Sequence, residues 1–169
     1  LYVETCPHFL THNSDMEIGP LGKVNPPLRS EEDQEALWQG LLDGSIDTVG
    51  SDHVARKKGK KEGSIWTCSA GFPGSGTILT TMLSEGYHRR GMSLERIAQL
   101  TSSNPSRIFG RYPQKGTIAL GSDADFAIVD VELEQEVTHK RLQSNADYSL
   151  IEGWTTKGWP LATFIRGRQ

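Results

Sequence analysis

The sequence predicts an α/β domain on a parallel sheet, continued by a small β module. Three observations carry this. A β-rich opening, residues 1–5, is followed by a loop, a capped apolar-faced helix and a second β-branched run, residues 46–49, the order of a βαβ unit. That run ends at Gly50-Ser51-Asp52-His53, a carboxylate and an imidazole directly after a strand. In parallel α/β folds catalytic groups gather where strands end. Near Pro113, finally, the pattern changes to short β runs between turn residues.

The elements follow in order. The first strand stops at Cys6-Pro7, because proline removes a donor. Residues 11–22 are polar and read as loop. In Lys23-Val24-Asn25-Pro26-Pro27-Leu28-Arg29 two prolines hold an extended path. Ser30 caps a helix, with Asp33 in a weaker version of the capping box and Glu31 and Glu32 at the positive end of its dipole. Ala36, Leu37, Gly40, Leu41 and Leu42 give its apolar face, and Gly44 stops it. The basic run Arg56-Lys57-Lys58-Gly59-Lys60-Lys61 reads as a solvated loop, an anion or polynucleotide site being the alternative. Ser69-Ala70-Gly71-Phe72-Pro73-Gly74-Ser75-Gly76 is a tight, backbone-exposing loop. A helix is predicted over 77–89, with Ile78, Leu79, Met82 and Leu83 inward. Ser93 caps another to about Leu100, and Asn104-Pro105 opens a short third. Residues 115–130 alternate short strands with turns, 131–145 hold a further strand and its loop, 148–159 are irregular and aromatic, and 161–168 form a last strand and turn.

The 169 residues carry a net charge of −3 and a pI of about 6.0, so no basic field points to nucleic acid. No apolar run is long enough to span a bilayer. Cys6 and Cys68 lie far apart, without metal-ligand spacing or a disulfide framework, which fits a reducing cytoplasm. The Gly-x-x-x-x-Gly-Lys phosphate loop is absent.

Several motifs stand in sequence: Glu4-Thr5-Cys6-Pro7-His8, Asn25-Pro26-Pro27-Leu28-Arg29, Gly50-Ser51-Asp52-His53 and Gly71-Phe72-Pro73-Gly74. After them come Thr101-Ser102-Ser103-Asn104-Pro105-Ser106, Lys115-Gly116-Thr117-Ile118 with Gly121-Ser122-Asp123-Ala124-Asp125, and Glu152-Gly153-Trp154 with Gly158-Trp159-Pro160. In this order they resemble the C-terminal part of the cyclic amidohydrolases: dihydroorotase, dihydropyrimidinase (hydantoinase) and allantoinase. The resemblance implies a metal-dependent (β/α)8 barrel beside a small β-sandwich. Residues 1–112 would supply barrel strands seven and eight with their helices, and 113–169 the C-terminal share of the sandwich. The family's His-x-His pair, carboxylated lysine and two further metal histidines would lie upstream of Leu1, in a longer protein.

The resemblance also implies roles. Asp52 matches the metal-binding aspartate of a binuclear zinc centre, where a metal-held hydroxide attacks a ring amide and Asp52 carries the proton to the leaving nitrogen. Without the motifs it would read as a turn or cap Asp. Asn25 matches a position that reads the edge of the cyclic substrate, or it simply caps the Pro-Pro turn. Ala70 and Gly71 would offer backbone groups to the ring, or form a plain surface turn. Arg56 stands where many dihydroorotases place a carboxylate-binding histidine. His53 reads as structural, His8 as lining the barrel mouth, and His12, His88 and His139 as surface or packing residues. Trp38 packs its helix or faces a partner; Trp154, Trp159 and Pro160 pack the sandwich on the barrel. The expected partner is a small cyclic amide or ureide in a homodimer or homotetramer. The competing readings are a non-catalytic amidohydrolase-like scaffold and an inactive piece lacking its N-terminal part.

Overall fold

The computed structural model describes residues 1–169, and its first strands are short: β1 is Glu4–Thr5 and β2 is Thr48–Val49. They pair in parallel, Glu4 beside Thr48 and Thr5 beside Val49. The ladder runs on at both ends, since Asp47 and Thr48 donate their N–H groups to the Val3 carbonyl and Gly50 donates to Thr5. The Val3 amide goes instead to the Asp47 carboxylate, at 2.8 Å. Leu1, Tyr2 and Val3 are exposed, so of the predicted run 1–5 only the last two residues form regular strand.

Pro7 does more than end β1. It opens a helix, α1 (Pro7–Thr11), where its missing N–H is one that a first turn leaves free anyway. Helix α2 (Glu31–Asp43) starts on a complete capping box, with Asp33 N–H donating to Ser30 Oγ at 3.2 Å and Ser30 N–H to the Asp33 carboxylate at 3.2 Å. It ends at Gly44, whose φ of 95° is the left-handed cap that glycine takes without penalty. Trp38 is fully buried, its indole N–H donating to Leu10 O at 3.0 Å while the Arg90 guanidinium covers its ring, so it packs the helix and faces no partner.

Helix α3 (Ile78–Thr81) widens into a π-helical stretch, Met82–His88. Beyond Ser93, which caps by accepting from Arg96 N–H, α4 (Leu94–Ala98), a π turn (Gln99–Ser103) and α5 (Asn104–Ile108) form one unbroken rod. The prediction of Asn104 as a cap is therefore corrected. The π turn lies just before Pro105, where an α-helical carbonyl one turn back would meet the ring. Asn104 turns sideways instead and donates to Asp47 O at 2.9 Å, tying the rod to β2. Leu10, Trp38, Leu41, Val49, Met82 and Leu100 form the heart of the core between these elements.

The C-terminal region is a long antiparallel ribbon of β3 (Phe126–Glu136) and β4 (Thr155–Phe164), with register shifts after Ile128 and Asp130. Residues 115–125 hold turns and no strand, and 131–136 continue β3. Residues 155–159, read from sequence as irregular, begin β4, and the predicted strand 161–168 ends at Phe164. Gly158 and Pro160 obscured that strand. Proline is tolerated in a ribbon of only two strands. Gly158 has φ 95°, and a Cβ there would lie 2.5 Å from Leu83 Cβ, so the ribbon lies hard against the π-helical stretch. His88 Nε2 at 2.7 Å from Val131 O and Lys157 N–H to Ser84 Oγ complete the docking.

Candidate active site

Strand β2 runs out beneath a carboxylate. Thr48 Oγ1 donates to Glu4 Oε2 at 3.1 Å, and a Cβ on Gly50 would lie 2.5 Å from Glu4 Oε1. Only glycine leaves Glu4 that place. The chain then bends sharply. Asp52 has φ 42°, a left-handed conformation that few non-glycine residues adopt and that short polar side chains tolerate best. Its carboxylate is exposed.

His53 holds this bend. Its Nδ1 accepts the N–H groups of Gly74 at 3.0 Å and Ser75 at 3.2 Å, with Ser75 Oγ 3.1 Å away, and its backbone bridges Phe72 in parallel. Val54 N–H donates to Phe72 O at 2.7 Å. Gly74 comes so close that a Cβ would sit 2.5 Å from Ser51 O. His53 is thus a structural clamp between residues 51–54 and 71–75.

A third segment joins them. Gly71 N–H donates to Lys23 O at 3.0 Å, and Lys61 Nζ donates to the same carbonyl at 2.7 Å. Lys23 Nζ reaches Trp66 O, and Cys68 Sγ donates to Pro20 O. The segment of Asn25, exposed and followed by a cis peptide to Pro26, is therefore joined through Lys23 to that of half-buried Ala70 and buried Gly71. Gly71 has φ 94° and would bring a Cβ to 2.6 Å from Val54 Cγ2, so no other residue fits there without movement. Arg56 lies further along the Asp52 loop, its side chain exposed and its charge felt at Lys61 and Tyr148. Asp52, Asn25, Ala70 and Gly71 thus belong to three adjoining loops, and Arg56 continues the first of them. The basic run is less solvated than predicted: 58–61 form a 3-10 turn, Lys58 N–H donates to Asp147 Oδ1, and Lys61 is buried.

Behind the loops lie buried titratable groups. Burial holds His8 down to about 4, the nearby negative charge of Asp52 only partly offsetting it. Neither ring nitrogen of His8 has a partner, and it packs against Phe9 and Phe72 beside a cavity of ≈ 10 Å³ that Thr11, Thr77, Thr81 and Ser149 also line. His12 is buried as well and held down to about 4 by desolvation. It stacks on Trp154 with ring centroids 5.3 Å apart. Burial, then Asp52 and Glu4, push the Cys6 thiol up to about 12, leaving it unreactive. His139 pairs with Glu152 at the surface.

No group of three or more His, Cys, Asp or Glu side chains is arranged to hold a metal ion. Protein metal sites that do chemistry use about three side-chain ligands. Asp52 fits the role of one such ligand, being exposed, anionic in type and held at a strand end.

Residues 10–169 match the description "Amidohydrolase family". D-phenylhydantoinase of Escherichia coli O1:K1 / APEC is 40% identical over 174 residues, covering 99% of this chain and 38% of the relative. The solved L-hydantoinase (dihydropyrimidinase) from Arthrobacter aurescens is 37% identical with a TM-score of 0.90, over 98% of this chain and 38% of its own. The D-hydantoinase (dihydropyrimidinase) from Thermus sp. is 31% identical with a TM-score of 0.90, over 99% and 38%. The chain thus spans 38% of the length of these relatives. With its parallel strand pair, its loops at the strand ends and this likeness over nearly all its residues, the chain belongs to the amidohydrolase family, among the cyclic amidohydrolases.

Proposed function

We propose that the complete protein hydrolyses a cyclic amide of the hydantoin or dihydropyrimidine class, with Asp52 as a metal ligand and proton carrier in a (β/α)8 barrel. The observation that carries this is the exposed Asp52 carboxylate, held in a left-handed bend at the end of a parallel strand and braced by the His53 clamp. The names of the relatives support the ring class. Zinc is the metal we assign; such a metal supplies an activated water and polarises the amide carbonyl. Asp52 takes a proton and delivers it to the leaving ring nitrogen. Asn25, Ala70 and Gly71 orient the ring, and the Arg56 guanidinium binds an acidic or carbonyl group of the substrate. The assembly is a dimer or tetramer in the cytoplasm.

The test is metal analysis of the complete protein together with hydrolysis assays on hydantoin, dihydrouracil, dihydroorotate and allantoin. Turnover of the first two is expected, and Asp52→Asn should lower kcat by about 10²–10⁴-fold. Full turnover by Asp52→Ala would overturn the assignment of Asp52. A complete protein with neither metal nor turnover would make the chain part of a scaffold.

A further inference from the structure

Lys61 is only 5% exposed, yet no carboxylate pairs with its ammonium. Buried lysines are rare without a counter-charge, because the ion loses its hydration. Two groups replace water here: the Lys23 carbonyl at 2.7 Å and the face of the Phe72 ring, 4.4 Å from Nζ to the centroid. The Lys23 carbonyl also accepts the Gly71 N–H at 3.0 Å. One acceptor thus gathers both ends of the 61–71 loop, while Ser69 N–H to Lys60 O at 2.8 Å closes the loop's neck. Phe72 in turn bridges His53 beside Asp52.

We propose that Lys61 is a positioning residue for substrate binding: its ammonium, seated between the Lys23 carbonyl and the Phe72 ring, holds Gly71 and Phe72 in register with the Asn25 segment. The inference rests on the reading of Asn25 and Gly71 as substrate-side residues. The charged or titratable groups that face Lys61 are Cys68, Lys23 and Arg56. Burial above all, with Lys23 and Arg56 adding to it and Cys68 opposing, lowers Lys61 to about 8. Above that pH Lys61 loses its charge, and the clamp weakens to a neutral N–H hydrogen bond without the attraction to the Phe72 ring.

The experiment compares the complete wild-type protein with Lys61→Met and Lys61→Arg. Losing a hydrogen bond to a charged group should raise KM about ten-fold in Lys61→Met, with kcat changing less. Wild-type KM should climb above pH 8, and Lys61→Arg, whose charge does not titrate there, should keep a low KM across that range. Amide exchange supplies a readout independent of activity: Gly71 N–H should exchange at least about ten-fold faster in Lys61→Met. If the wild type hydrolysed none of the rings, the functional reading would fall while Gly71 exchange still tested the clamp. If Lys61→Met did not fold, wild-type Gly71 exchange, corrected for intrinsic rate, should still rise across pH 8 and stay flat in Lys61→Arg. Unchanged KM with unchanged Gly71 exchange in a folded Lys61→Met, or flat wild-type profiles across pH 8, would overturn the proposal.

Discussion

The residues that carry this fold's acid sensitivity are His8 and His12. Both are held near 4 by burial, against 6.5 for a free imidazole. Between those values the unfolded chain binds more protons than the folded one, so stability rises with pH. It is complete above 6.5 and is lost as pH falls toward 4. Each histidine should cost about 2 kcal/mol between pH 7 and pH 5. Unfolding of the complete protein, measured at both values, should show this loss, and His12→Gln should remove its share. At this scale a carboxylate after a β-branched run and a glycine, a local signal, made Asp52 a candidate, and only the ordered motifs around it set that reading above a turn or cap Asp. Lys61 and Glu4 were silent for the opposite reason. What matters about them is a carbonyl or glycine brought near by tertiary folding, Lys23 in one case and Gly50 in the other.

Among the elements, α2 was legible end to end, since its capping box and its glycine stop are both written within a few residues. The rod from Leu94 to Ile108 was not. Its continuity depends on a π turn that absorbs Pro105, and no local signal distinguishes that from two capped helices. The rod is joined to α2 and β2 by Arg96, whose Nε donates to Leu41 O at 2.8 Å and Nη2 to Ile46 O at 2.9 Å. One planar fork thus satisfies carbonyls at the end of a helix and at the entry of a strand. Arg96→Leu leaves both acceptors half-buried without a partner and should destabilise by about 2–3 kcal/mol in chemical denaturation. Arg96→Lys should recover less than half of that loss, because a lysine cannot reach both at once.

At the scale of the molecule, the chain carries apolar surface it does not itself cover. Leu1, Tyr2, Ile118, Leu120, Leu161 and Ile165 all stand out to solvent. The parallel pair β1–β2 has open edges, and so has the β3–β4 ribbon. Exposed edges and apolar faces of this kind drive association. The 169-residue chain expressed alone should aggregate or bind a hydrophobic dye strongly, and it should turn over none of the cyclic amides. A monomeric, cooperative unfolding transition by light scattering and calorimetry would contradict this. The parallel order of the first strands was legible because helix and strand periods differ. The single long ribbon was not, because Gly158 and Pro160 imitate a turn where the chain in fact continues as strand.

The grip of His53 on the loop beyond it reaches further than architecture. Its Nδ1 lone pair is occupied by two backbone amides, so the ring proton resides on Nε2 and the tautomer is chosen by the fold. The ring's other edge then has an N–H to give and no electron pair to lend. Neighbours in sequence, Asp52 and His53 thus present opposite edges: the carboxylate has only lone pairs to offer, while the free edge of the clamped ring has a proton.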